Sequence, residues 1–180
     1  MDIYAGIDAM REGIRRRAWR EVETTAGTYC RELDAKAADA IIALDLAPYR
    51  DQIASVLETV LATARAQGSA AVYWEFDLDN GWDSAFFLCG DYAPEVDEDD
   101  EWASDFDEAG VVRGPAQSDL ARLYGKSWDG TPAEVARNLF LIGRTVAAFG
   151  EASQRIWPTT IPLCAGHHDQ DSVFRFIESD

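Results

Sequence analysis

Glu75 and Asp77 stand two residues apart in the run Tyr73-Trp74-Glu75-Phe76-Asp77, and Asp83 follows beyond Asp79-Asn80-Gly81. Residues i and i+2 of a strand share a face, and a hairpin return brings Asp83 near the other two. Three carboxylates so placed are the raw material of acid/base chemistry or of a divalent-cation site. Like charges facing one another also destabilise a sheet unless a cation or a basic group relieves them. Acid/base catalysis would call for a histidine companion, and the chain offers only His167 and His168, far along the sequence. Adjacent histidines on a strand point to opposite faces, so with Asp169 and Asp171 nearby they read as a polar turn in preference to a metal site. No spacing supports a Cys/His nucleophile built from Cys30 or Cys164 with His168.

Asp77 to Asp83 also invites comparison with a calcium loop, because alternating carboxylates precede a glycine. Counted from Asp77, however, the glycine falls at the fifth position and Leu88 occupies the twelfth, where a glutamate is required. A hairpin turn with solvated carboxylates is the favoured reading. Cys30, Cys89 and Cys164 are odd in number and lack Cys-x-x-Cys spacing, so they read as reduced, mostly buried thiols.

The elements around these residues follow from periodicity. Tyr4, Ile7, Met10, Ile14, Ala18 and Val22 recur at helical spacing, opposite Arg11, Glu12, Arg15 and Arg16. A second helix is expected from about Thr28 to Leu44, with Tyr29, Leu33, Ala37, Ile41 and Leu44 inward. A third begins near Pro48, carries Ile53, Val56, Leu57, Val60, Leu61 and Ala64, and ends near Gly68. The period then becomes two: Val72, Trp74, Phe76 and Leu78 face one way, the Asp79-Asn80-Gly81 turn intervenes, and Trp82, Ser84, Phe86 and Leu88 return. An acidic stretch, an irregular 110–115 region and a short helix near 118–124 follow. Thr131-Pro132-Ala133-Glu134 has the form of a capping box opening a helix through Val135, Leu139, Ile142, Val146 and Phe149. Residues 160–164 and 172–177 read as strands. The expected fold is α+β, a mostly antiparallel sheet with a central β-hairpin packed against several helices, in one domain over residues 1–180.

The formal net charge is −17, and it is not spread evenly. Residues 75–108 hold 14 acids and no Lys or Arg, whereas the flanks, 1–74 and 109–180, are near balance at −2 and −1. A concentrated field of one sign steers oppositely charged partners. It also argues against nucleic acid as a direct ligand, which requires clustered basic residues. No stretch is long and apolar enough for a membrane span, and the opening Met1-Asp2-Ile3 lacks a secretory pattern, so a cytoplasmic protein is expected. Arg outnumbers Lys and Ala is abundant, a usage that fits a GC-rich bacterial genome.

Three of the six tryptophans, Trp74, Trp82 and Trp102, lie in or beside the acidic segment. Aromatic rings amid carboxylates suit protein recognition, where rings anchor and charges orient. Trp74 reads first as core. Trp102 and Phe106, four apart within Asp99-Asp100-Glu101-Trp102-Ala103-Ser104-Asp105-Phe106, read as a recognition feature.

From Tyr73-Trp74-Glu75-Phe76-Asp77 through Asn80-Gly81-Trp82-Asp83-Ser84 to Phe86-Phe87-Leu88-Cys89 and the acidic Trp-containing stretch, the sequence resembles small acidic bacterial immunity proteins, the cytosolic antidotes of interbacterial toxins. The likeness spans about 40 residues and rests on general character. It implies a non-enzymatic inhibitor that covers a toxin's active site, with no cofactor. The expected contact residues are Glu75, Asp77, Asp79, Trp82, Asp83, Asp97, Glu98, Asp99, Asp100, Glu101, Trp102, Asp105 and Phe106, facing a basic toxin domain. The alternative is a metal-dependent hydrolase using Glu75, Asp77, Asp83 and His168. A structural or adaptor module that self-associates through its N-terminal helices is a third reading.

Overall fold

The computed structural model describes residues 3–97, 99–104, 106–125, 130–168 and 173–178. Alternation of apolar and polar residues produces the hairpin as expected. Strand β1, Ala71–Asp77, pairs antiparallel with β2, Asp83–Cys89, in the register Trp74 to Phe86 and Asp77 to Asp83. Gly81 supplies the left-handed turn conformation at φ 71°, and Trp82 follows at φ 59°. A five-stranded sheet forms in the order β3-β2-β1-β4-β5, which adds β3 (Phe106–Arg113), β4 (Leu163–His167) and β5 (Phe174–Ile177). Three pairings are antiparallel, and β4 runs parallel to β1. The fold is therefore α+β with a mostly antiparallel sheet and β1 at its centre.

Helix α1, Ile3–Arg15, and helix α2, Trp19–Leu33, replace the single apolar stripe read from Tyr4 to Val22. Arg17 turns left-handed at φ 53°, and Ala18 N–H donates to the Gly13 carbonyl, closing α1. Ile7, Met10, Ile14 and Val22 are buried, but Tyr4 at the first turn is exposed. The helix expected over 28–44 is likewise divided, because the Asp34 carboxylate accepts the Ala37 N–H at 2.9 Å and caps a new helix, α3, Ala35–Ile42. Leu33, expected inward, ends α2 exposed. Side chains that compete for backbone N–H groups favour such caps over continued helix.

Helix α4, Ala47–Gln67, starts with proline in its first turn and ends at Gly68 with φ 73°, as the sequence indicates. After the short α5, Ser118–Leu123, the capping box forms in full at the start of α6, Pro132–Gln154. Helix α6 is apolar on nearly every side because α1, α2, α3 and α4 all pack on it. Its Gly150 lets the Trp19 ring sit where a Cβ would come within 2.6 Å of it. One continuous core joins these helices to the inner sheet face, where Trp74 stacks on Phe149 at 4.7 Å between ring centroids. No helix among the described residues is long and apolar enough to cross a membrane.

Two other expectations need correction. The irregular region at 110–115 belongs largely to β3, whose Val111 and Val112 pair with Phe87 and Phe86 across a bulged register. Acidic residues at the start of this strand hide its alternation. His167 lies inside β4 and is buried, not in a polar turn, because the parallel ladder to Phe76 extends that far. Asp169 and Asp171 lie outside the described residues.

Candidate functional site

Because side chains alternate along β1, those of Trp74 and Phe76 enter the core and those of Tyr73, Glu75 and Asp77 face away from the helices. Part of this outer face is roofed. Residues 91–97 and 99–104 lie over it, with two 3-10 turns, Glu95–Asp97 and Glu101–Ser104. Trp102 closes a second, smaller apolar cluster with Tyr73, Cys89, Cys164 and Val173. Its ring meets Tyr73 edge-on at 6.4 Å and Tyr92 at 5.0 Å. Burial among these groups pushes the Cys164 thiol and the Tyr73 phenol well above their ordinary pKa values.

Arg175 of β5 holds the roof in place. With a side chain 6% exposed, it donates to the carbonyls of Ala93 and Asp99 and to Asp100 Oδ1 at 2.7 Å. Burial opposes the guanidinium charge, but the hydrogen bond and charge of Asp100 outweigh it and raise the Arg175 pKa. Hydrogen bonds to a charged group are among the stronger ones in proteins. Glu178 accepts the Glu95 N–H at 3.0 Å, and Arg15 grips the Glu95 carboxylate through Nε at 3.0 Å, holding it below its usual pKa. The roof therefore spans from β5 to α1.

Held in this way, the acidic residues divide by role. Glu95 and Asp100 are paired inward, whereas Asp97, Asp99 and Glu101 are exposed. Next to Asp97 stands Val96, 84% exposed, which no feature of the sequence singles out. Trp102 is 4% exposed and Trp82 fully buried, so neither presents a ring to a partner: Trp102 supports the acidic surface from beneath. Trp82 is a core residue whose indole N–H donates to Thr145 Oγ1 at 2.9 Å. Phe106 is partly exposed and packs on Phe87 at 4.3 Å. Glu98 and Asp105 lie outside the described residues.

The hairpin carboxylates do not converge as a triad. Asp77 Oδ1 accepts the N–H groups of Asp79 and Asn80 at 2.9 and 3.0 Å, the local side-chain turn expected of aspartate before a glycine. Asp83 faces Asp77 across the hairpin and lies 3.5 Å from Arg113. Asp79 is exposed on the turn. Glu75 instead meets His168, whose Nδ1 lies 3.0 Å from Glu75 Oε1. No group of three or more His, Cys, Asp or Glu side chains among the described residues is placed to hold a metal ion. All three cysteines are buried and free. His168, named from the sequence as a possible companion of the hairpin carboxylates, directly follows β4 and meets Glu75, whereas Arg175 of β5 escaped notice because nothing local in the sequence links it to the acidic segment. Only the single buried-strand arginine in Phe174-Arg175-Phe176 hinted at a partner.

No protein-family model matches the chain, and neither a curated protein nor a solved structure matches it.

Proposed function

We propose that the chain is a cytoplasmic inhibitory binding protein of the immunity type, which engages a basic toxin domain through the acidic roof of its sheet. The observation that carries this reading is the Arg175 anchorage: Asp97, Asp99, Glu101 and Val96 are displayed on a segment fixed at both ends, not on a loose loop. A preformed surface loses less conformational freedom on binding, so more of its contact energy becomes affinity. Neighbouring charge steers encounter, and an exposed apolar side chain desolvates the contact. Trp102 contributes from below, by rigidity.

The test is a binding measurement between this chain and the basic protein encoded beside it, by calorimetry at low and physiological salt. Tight, salt-weakened, one-to-one binding that abolishes the partner's activity supports the reading. Absence of binding at low salt removes it. The hydrolase alternative has the Glu75–His168 contact in its favour, and a divalent-cation titration that gives saturable heat lost in Glu75→Gln would revive it.

A further inference from the structure

A second surface has the opposite character. Beside β5 a cleft of about 900 Å³ is lined by Arg15, Arg17, Trp157, Thr160 and Arg175, with Glu178 also on its wall. In a chain with net charge −17 a concentration of three arginines in one cleft is informative, and their assignments differ. Arg15 is engaged by Glu12 and Glu95, and Arg175 by Asp100. Neighbouring Arg16 pairs with Glu12 and Glu21. Arg17 has no carboxylate within 4.0 Å among the described residues. Its guanidinium lies instead over the Trp157 ring, 4.0 Å from the centroid, and that ring is 46% exposed.

A guanidinium held over an aromatic ring without a carboxylate partner keeps N–H donors available for paired hydrogen bonds with an oxyanion. Arg17 also takes a left-handed backbone, φ 53°, which non-glycine residues adopt only where the surroundings hold them. Stacking and backbone thus set one cation beside a half-exposed indole at the mouth of a cleft large enough for a small ligand or peptide end.

The chemistry narrows the occupant. Glu178 on the wall and Glu95 beside Arg15 repel a polyanion, so a nucleic-acid backbone is disfavoured, whereas a single carboxylate next to an apolar side chain matches one guanidinium and one indole. We infer that this cleft receives a short acidic peptide segment of a partner polypeptide, its carboxylate paired with Arg17 and the adjoining apolar side chain on Trp157. None of the exposed acids of the roof takes part, although Arg15 and Arg175, which anchor the roof, share the cleft wall.

The probe is the blocked tetrapeptide acetyl-Leu-Glu-Leu-Glu-amide, titrated into the full chain while the Arg17 Nε–H and Trp157 indole resonances are followed by NMR. The expected result is saturable movement of both signals, about tenfold weaker with the Gln-for-Glu peptide because a charge-assisted pair is lost. Arg17→Gly, which suits the left-handed backbone and preserves the fold, should abolish the response, and Arg17→Lys should reduce it. Equal binding of the Gln peptide, unchanged binding to Arg17→Gly, or no shift at all would each overturn the inference. Sodium phosphate producing the same shifts at the same concentration would also overturn it, by reducing the cleft to a small-anion site. Failure here leaves binding through Asp97, Asp99 and Glu101 untouched.

Discussion

His168 Nδ1 and Glu75 Oε1 lie 3.0 Å apart although the residues are separated by 93 positions. The parallel pairing of β4 with β1 makes this contact: Gly166 stands beside Glu75, and the His168 N–H continues the ladder to the Phe76 carbonyl at 3.0 Å. Both side chains are partly solvated, His168 by 50% and Glu75 by 27%. Water therefore competes for the pair, and a double-mutant cycle of Glu75→Ala and His168→Ala in urea should give a coupling below about 1 kcal/mol. A coupling of several kcal/mol would show the pair to be far more secluded than its exposure indicates.

Next door, His167 is 1% exposed, and burial lowers its pKa to about 4 from an ordinary value of 6.5. The unfolded chain takes up a proton near pH 6.5 that the folded chain refuses until about pH 4. Stability should therefore fall as pH drops through that window, by up to about 3 kcal/mol. His167→Phe should flatten the slope of urea stability between pH 6.5 and 4.5. The acids with lowered pKa values, Asp34, Glu95 and Glu134, lose their contribution only below that range. An unchanged slope in the variant would assign the pH dependence to another group.

Thr145 serves two buried partners at once: it accepts the Trp82 indole N–H and donates to the Leu141 carbonyl, both at 2.9 Å. Thr145→Val keeps the shape and removes the acceptor, leaving the Trp82 donor unsatisfied in a dry core. The expected loss is about 1–3 kcal/mol in chemical denaturation. A neutral result would mean that the indole finds another acceptor.

Arg175→Met is expected to loosen the acidic roof more than it lowers global stability, because Asp100 is 29% exposed and can turn to water once the guanidinium is gone. Amide exchange should accelerate over residues 92–104 while β1 stays protected, and Trp102 emission should shift to the red. Uniformly faster exchange across the sheet would show that Arg175 supports the whole fold and not the roof alone.

How much of this was legible beforehand depends on range. The capping box at Thr131, the stripe of α4 and the alternation of the hairpin are local signals, and the structure follows them. Helix breaks at Arg17 and Asp34 were missed because the apolar period runs on across them, whereas the backbone turns there by a left-handed residue and a competing cap. The burial of Trp102 was hidden for a related reason. A ring amid carboxylates looks exposed in sequence, but the residues that bury it, Tyr73 of β1 and Val173 just before β5, lie far from it along the chain. The same holds for Arg175, whose role exists only once β5 is set beside the roof. The location of the charge was evident at once. Its division into acids held inward and acids displayed was not.

The most direct measurement of the central claim is the association rate of this chain with its basic partner as a function of ionic strength, for the natural protein and for the triple variant Asp97→Asn, Asp99→Asn, Glu101→Gln. These three acids are exposed, and neutralising them leaves the Arg175–Asp100 and Arg15–Glu95 anchors intact. Association of the variant should be slower at low salt, with a flatter salt dependence and little change in dissociation, while Val96→Asp should act mainly by speeding dissociation. If the triple variant associates at the natural rate with the natural salt dependence, the acidic roof is not the surface that binds.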